Sequence, residues 1–363
     1  MKILHVINTL NVAGAERLLT DMLPLQQAIG HQVELVVLNG IHTPFFEILE
    51  NRGVRVHTFR QLGGEYNPIA VWKLHKFLND YDIVHAHLFP TQYWVAACKW
   101  LFGVKTPLVT TEHSTSNTRF KYWLTTQTDR WVYRRYNCIV GISDAVSKVM
   151  EKRVRGLVPT LTIPNGVDLN RFSQVRPMSR QELGIPDNAR ILIQVARFQE
   201  AKNQDCLIRA LVLLPAHVHA VFAGDGERMD SCKRLAQELH VQDRTHFLGI
   251  RDDVPRLYSL ADVVVVSSHW EGFGLAAVEG MAAGLPVVSS RVDGLKEIVS
   301  KDELLFDDDD DLLLTSRIRH LLENKDFYQE MSAYCRQRSK LYSIDSMVAE
   351  YVALYERIVA QTP

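Results

Sequence analysis

Trp270-Glu271-Gly272-Phe273-Gly274-Leu275-Ala276-Ala277-Val278-Glu279-Gly280 directly follows a β-rich run, Asp262 to Ser267. A short apolar run, then a glycine-rich turn, then a helical pattern reads as a buried strand feeding a helix. Ligands of open α/β sheets bind at such strand C-terminal ends. Gly272 and Gly274 permit tight turns and close approach of a ligand, and a helix starting near Leu275 aims unsatisfied N–H groups and its positive dipole end at the turn. The arrangement suits an anion such as a diphosphate. Gly284 followed by Pro286 marks the helix stop, so Glu271 falls just before the first turn and Glu279 in the helix body. Both carboxylates are expected to face one cleft.

The same strand-to-helix rhythm runs outward in both directions. Upstream, Lys2 to Val6, Gln32 to Leu38, Ile83 to Ala86 and Leu108 to Thr111 read as buried strands of one parallel sheet. The rhythm restarts after Asn165-Gly166 and the polar stretch Arg171 to Asn188, with strands at Arg190 to Val195, His219 to Ala223, Thr245 to Leu248, Asp262 to Ser267 and Pro286 to Ser289. The fold class is α/β, two Rossmann-like doubly wound domains facing a central cleft. The borders are placed at 1–170 for the first domain, joined by a returning helix in 342–363, and 171–341 for the second. That tail carries an apolar stripe at helical spacing, Met347, Val348, Tyr351, Leu354, Tyr355 and Ile358. No fixed-period repeat argues for a solenoid.

A second phosphate-suited element lies one strand-helix unit upstream of the glycine turn. Arg197 follows the strand ending at Val195, and Lys202 sits just before a helix expected from Gln204. Charge-assisted bonds from such cations to phosphate are worth about 1.5 to 3 kcal/mol each. With Glu271 and Glu279 as an E-x7-E element and Asn165-Gly166-Val167-Asp168 upstream, the chain resembles the family 4 glycosyltransferases, retaining enzymes of the GT-B fold. The resemblance covers essentially the whole chain, including His85-Ala86-His87, Thr111-Glu112-His113, Ile142-Ser143-Asp144 and Gly224-Asp225-Gly226 in the expected order.

That resemblance implies a sugar transferred from a nucleoside-diphosphate sugar, a UDP-sugar by preference, onto a glycan or polyprenyl-diphosphate-linked acceptor in bacterial surface polysaccharide synthesis. It implies that Arg197 and Lys202 hold the diphosphate, Glu279 the ribose, and Glu271 with the backbone of Gly272, Phe273, Gly274 and Leu275 the sugar. His113 is implied near the donor sugar, and Gly224 and Ile250 in the nucleotide pocket. Gly14, in the first strand-helix loop Asn11 to Glu16, is expected to admit a phosphate or sugar. The family often carries paired glycines there, and Ala13 departs from that pattern. A metal-free, front-face mechanism is implied, with no cofactor. Gly224-Asp225-Gly226 lacks the third glycine of a dinucleotide fingerprint, so a nicotinamide is not supported.

Composition sets the remaining bounds. The 363 residues are 47% apolar and 23% charged with a net charge of -1, which excludes disorder and gives no field suited to wrapping nucleic acid. The balance is uneven: residues 1–170 carry 18 basic and 13 acidic side chains. From Lys99 to Arg155 there are 11 basic against 4 acidic, interleaved with Phe120, Tyr122, Trp123, Trp131, Tyr133 and Tyr136, a composition suited to anionic lipid headgroups. The early polar residues, the lack of any eighteen-residue apolar run and five scattered cysteines point to a cytoplasmic protein, peripheral at most on the inner face of the cytoplasmic membrane. Three rivals stand beside the transferase: a GT-B sugar-nucleotide epimerase, a non-catalytic nucleotide-sugar or membrane scaffold, and a metal hydrolase built on His85, His87 and His113. The histidines lack a matched carboxylate, which makes a metal centre the weaker reading. Asp307 to Asp311 reads as a solvated loop without a role.

Overall fold

A computed structural model describes residues 1–11, 13–59, 64–115 and 123–362 of the chain. Its elements alternate strictly enough to be followed in order. The first part runs β1 (Lys2–Ile7), α1 (Gly14–Ala28), β2 (Gln32–Val37), α2 (Pro44–Asn51), β3 (Arg55–Thr58), α3 (Ile69–Leu78), β4 (Ile83–His87), α4 (Thr91–Phe102), β5 (Leu108–Glu112), α5 (Trp123–Tyr133), β6 (Cys138–Gly141), α6 (Asp144–Val154) and β7 (Thr160–Thr162). The second runs α7 (Asn170–Ser173), β8 (Arg190–Val195), α8 (Gln204–Leu213), β9 (Val218–Ala223), α9 (Met229–Glu238), β10 (Thr245–Phe247), α10 (Val254–Leu260), β11 (Val263–Val266), α11 (Leu275–Ala282), β12 (Val287–Ser290), α12 (Leu295–Val299), β13 (Leu305–Phe306), α13 (Asp311–Glu323) and α14 (Lys325–Ser339), before α15 (Ile344–Ala360) closes the chain.

These elements form two compact units, Met1–Gly166 with Ile344–Pro363, and Val167–Ser343, a few residues from the borders drawn on the sequence. Among the described residues the first holds a sheet ordered β3-β2-β1-β4-β5-β6-β7 and the second one ordered β10-β9-β8-β11-β12-β13. Every ladder is parallel. In both units strand order reverses once, between β1 and β4 and between β8 and β11, and the crevice at such a reversal is where open α/β sheets bind ligands. Central strands are buried on both faces, which is why β11 reads as a continuous apolar run, while β4 buries His85 and His87 along with its apolar residues.

Four strands escape the sequence reading. β3 and β7 lie toward the sheet edges, are only partly covered and so lack an apolar run; β13 is two residues long. β6 is fully buried, but four residues ending in glycine give little period to detect. The tail follows its stripe: Met347, Val348, Tyr351, Leu354, Tyr355 and Ile358 are all buried in the first unit's core, where α15 packs against α1. Each such side chain contributes about 1.5 to 3 kcal/mol on burial. No helix among the described residues is long and apolar enough to cross a membrane.

Candidate active site

The second unit's strand reversal is where the predicted cations and carboxylates lie. Arg197 leaves β8 with its side chain exposed, and Lys202 closes a single 3-10 turn, Glu200–Lys202, before α8. Glu271, on the loop between β11 and α11, forms an ion pair with Lys202 across the reversal point. Its other carboxylate oxygen accepts the Gly272 N–H at 3.1 Å. Two buried side chains that the sequence reading missed fix the lysine turn from below. The Gln194 amide at the end of β8 donates to the Lys202 carbonyl at 2.9 Å and to Ser267 Oγ at 3.1 Å, and Ser267 Oγ donates to the Asn203 carbonyl at 2.7 Å. The only hint in sequence is that polar residues stand where buried strands end.

Neighbouring loops are stitched to the same edge by backbone. The N–H of Ala196 donates to Ala223, that of Phe198 to Asp225, that of Arg228 to Phe198 and that of Gly224 to Gly249, all at 2.8 to 3.1 Å. Gly224, at φ +141°, has no room for a side chain: a Cβ there would collide with the Ala196 carbonyl. Gly274, at φ +93°, is the residue before the first turn of α11. The first N–H groups of a helix have no acceptor within it, so this turn offers donors to an anion. Gly294 packs against the carbonyl of Glu271, a neighbour that no local pattern pairs with it.

Glu279 lies on α11, where Tyr258 Oη stands 3.4 Å from its carboxylate and donates to the Ala276 carbonyl at 3.2 Å. Burial, reinforced by the Glu279 charge, pushes the Tyr258 hydroxyl well above its ordinary pKa, so it remains a donor. Phe273 is buried edge-on against Tyr342, which makes it a support for the glycine loop. Leu275 opens α11 partly exposed, whereas Ile250 is 70% exposed beside the bidentate Arg251 to Asp253 pair, both bonds at 2.7 Å. An open groove of about 530 Å³ elsewhere in this unit, lined by Leu213, Leu312, Thr315 and Arg319 among others, holds none of the motif residues.

In the first unit Gly14 starts α1 and is exposed; Val12 of its loop lies outside the described residues. His113 follows β5, and its Nε2 is buried without a hydrogen-bond partner among the described residues. Burial lowers its pKa to about 4, so the ring is neutral at pH 7. The histidines of β4 do share one face, and the residue that completes their group is His5 rather than His113. His5, His85 and His87 bring ligand-type nitrogens within 4.8 Å of one another, because His5 and His85 are register partners on adjacent strands. The nitrogens are largely committed: His5 to Gln26 at 2.9 Å and to His87 at 3.0 Å, His85 to Tyr355 at 2.5 Å and Thr111 at 2.7 Å. This neutral network joins β1, β4 and β5 to α1 and α15.

The basic, aromatic segment divides on folding. Tyr133 and Tyr136 are core residues, 0% and 4% exposed, and Arg153 is buried in an ion pair with Asp129, so these three leave the surface the composition suggested. Arg119, Phe120, Lys121 and Tyr122 lie outside the described residues, as does the side chain of Trp123. The surface row is built instead by residues of three helices. Trp131 of α5 meets Trp100 of α4 at 5.2 Å and carries the Arg135 guanidinium 3.6 Å from its ring centre, while Phe102 stacks on His75 of α3 at 4.0 Å and Lys76 lies 3.9 Å from Trp72. Trp72, Trp100 and Leu101 are more than half exposed. A shallow depression of about 270 Å³ next to Trp131 is lined by it with Gln127, Arg130, Arg134, Arg155 and Leu157.

Comparison with known proteins gives the family and the fold. Residues 12–171 match the family described as Glycosyltransferase Family 4, and residues 175–338 match Glycosyl transferases group 1. The chain is 30% identical over 315 residues to the D-inositol 3-phosphate glycosyltransferase of Geodermatophilus obscurus, covering 77% of this chain and 68% of that one. It is 24% identical over 282 residues to the N-acetyl-alpha-D-glucosaminyl L-malate synthase of Bacillus anthracis, covering 76% and 74% respectively. The crystal structure of Anabaena Alr3699/HepE in complex with UDP superposes with a TM-score of 0.85 at 23% identity, over 98% of this chain and all of that one. Two Rossmann-like parallel-sheet units of this kind define the GT-B class of glycosyltransferases. Within it, the chain belongs to family 4.

Proposed function

We propose that this glycosyltransferase takes its sugar from a UDP-sugar and transfers it with retention, using Lys202 and Arg197 as the cations for the diphosphate. The observation that carries the proposal is the Lys202 to Glu271 pair at the β8/β11 reversal, with Gly274 opening α11 beside it. The bond from the anomeric carbon to the diphosphate oxygen breaks and one to the acceptor hydroxyl forms. Negative charge therefore grows on the leaving diphosphate, and fixed cations there favour the transition state over the bound substrate. In this reading that charge is met by side chains and the α11 N-terminus with no metal ion required, and the leaving phosphate takes the acceptor's proton. Glu279 is assigned to the ribose, Glu271 with the Gly272 to Leu275 backbone to the sugar, and His113 acts as a neutral hydrogen-bonding group for it. The UDP in the Anabaena structure supports the choice of base. Calorimetry with UDP, GDP and ADP is expected to show UDP binding that is lost in Glu279→Ala; binding of none of the three would overturn the donor assignment.

For the acceptor we propose a glycan or polyprenyl-diphosphate-linked glycan of bacterial surface polysaccharide synthesis, met at the inner face of the cytoplasmic membrane. Support comes from the aromatic and arginine row on α3, α4 and α5, since exposed tryptophans with adjacent cations suit an anionic headgroup layer. The inositol phosphate and malate in the relatives' names favour a second reading, a small anionic acceptor free in solution. Liposomes separate the two. Binding to vesicles rich in phosphatidylglycerol is expected to weaken with salt and to drop at least tenfold when Arg134 and Arg135 both become Glu, at about 1 kcal/mol per cation lost and more on charge reversal. Salt-independent or absent binding would leave the soluble acceptor.

A further inference from the structure

Five consecutive carboxylates are costly to hold together unless each finds a partner, and in the structure each one does. Asp307 lies 3.3 Å from Arg291 Nε, and Asp310 accepts the Leu313 N–H at 2.8 Å as the cap of α13. Asp311 lies 3.6 Å from Arg209 Nε. The two remaining carboxylates reach the loops that carry Lys202 and Glu271. Asp309 accepts from Asn203 Nδ2 at 3.1 Å and pairs with Arg209, and Asp308 accepts from His269 Nδ1 at 2.8 Å.

Both contacts act one or two residues from the proposed site. Asn203 follows Lys202 directly and sits in the left-handed region at φ +44°, a conformation asparagine adopts more readily than other residues with a side chain. Its Oδ1 caps α8 by accepting the Cys206 N–H at 3.3 Å, so with Nδ2 on Asp309 both ends of the amide are fixed. His269 stands two residues before Glu271, and its backbone N–H donates to the Ala201 carbonyl at 2.9 Å, which ties the glutamate loop to the lysine turn. Burial alone would raise the Asp309 pKa, but the bond from Asn203 and the Arg209 charge outweigh it and hold the carboxyl below its usual range.

We infer that Asp308 and Asp309 are positioning residues of the transferase: through His269 and Asn203 they set the loops bearing Glu271 and Lys202, and with them the grip on the donor diphosphate. The inference rests on the donor reading above. Asp307 supplies an internal control, because it belongs to the same run and its loss removes the same charge, yet its partner Arg291 follows β12 and carries neither loop.

The test is calorimetric binding of UDP to the full chain and to Asp307→Ala, Asp308→Ala, Asp309→Ala and Asp309→Asn, with the unfolding midpoint measured for each. Asp308→Ala and Asp309→Ala are expected to bind UDP about tenfold more weakly, the equivalent of one charge-assisted hydrogen bond, with a midpoint close to that of the wild type. Asp309→Asn, which keeps an acceptor for Asn203, restores most of the affinity, and Asp307→Ala leaves it unchanged. Wild-type affinity in both alanine variants overturns the inference, as does an equal loss in Asp307→Ala, which would reduce the effect to net charge. If Asp309→Ala does not fold, Asp308→Ala carries the same test through His269. A wild type that binds no UDP fails at the donor reading instead, before any variant is compared.

Discussion

Lys202→Ala is expected to lower sugar transfer by about a hundred to a thousandfold, some 2.7 to 4 kcal/mol of transition-state stabilisation, in a protein that still folds. The side chain lies at the end of a turn whose backbone is held by Gln194 and Ser267, so truncation removes the ammonium without releasing the loop. It does leave Glu271 without its ion-pair partner, but that carboxylate keeps the Gly272 N–H and partial access to water, so the stability cost stays near 1 to 2 kcal/mol. The kinetic signature separates the proposed role from a merely binding one. Charge on the leaving diphosphate is greatest in the transition state, so kcat falls more than KM rises. Arg197→Ala is expected to behave alike, with a smaller stability cost because Arg197 is exposed. Steady-state kinetics within tenfold of wild type in either variant would remove these cations from the mechanism.

What the sequence disclosed and what it hid follow from the range of each interaction. The turn around Gly272 and Gly274, the helix starts at Gln204 and Leu275 and the stripe on α15 are local patterns, so spacing alone located them. Gln194 to Ser267 spans 73 residues, Asn203 to Asp309 spans 106 and His85 to Tyr355 spans 270. Nothing in a run of residues marks such pairs; the first two exist because parallel strands bring distant C-terminal ends to one edge, and the third because α15 packs back into the first unit's core. Composition misled where it counted residues without faces. Tyr133, Tyr136 and Arg153 belong to a basic aromatic segment by sequence and to the interior by packing, whereas Trp72 on α3 lies outside that segment and joins the surface row.

The first unit is expected to lose its stability steeply between pH 6.5 and pH 4.5. His5 is fully buried, and burial, only partly opposed by its bond to Gln26, lowers its pKa to about 4. His85 and His87 are pushed well below their ordinary value, first by burial and then by neighbouring imidazoles. An unfolded histidine titrates near 6.5, so below that pH the unfolded chain binds protons that the folded one refuses. The stabilising effect of a neutral buried ring is therefore complete above pH 6.5 and falls by about 1.4 kcal/mol per pH unit for each histidine, levelling off for His5 only below about pH 4. Over that window His5 alone accounts for about 2 kcal/mol, and His85 and His87, shifted in the same direction, add to the loss. His113, less covered, contributes in the same direction. Urea unfolding at pH 7.5, 6.5, 5.5 and 4.5 measures the slope, and His87→Gln, which replaces a ring that must stay neutral with an amide that always is, is expected to flatten it. Hydrogen exchange adds the location: because His85 and Thr111 hold Tyr355 and Tyr351, protection is expected to fail early in Ile344–Ala360. A stability unchanged between pH 6.5 and 4.5 would mean that the imidazoles take up protons without leaving the core, and would send the three-histidine cluster back to a role that tolerates charge.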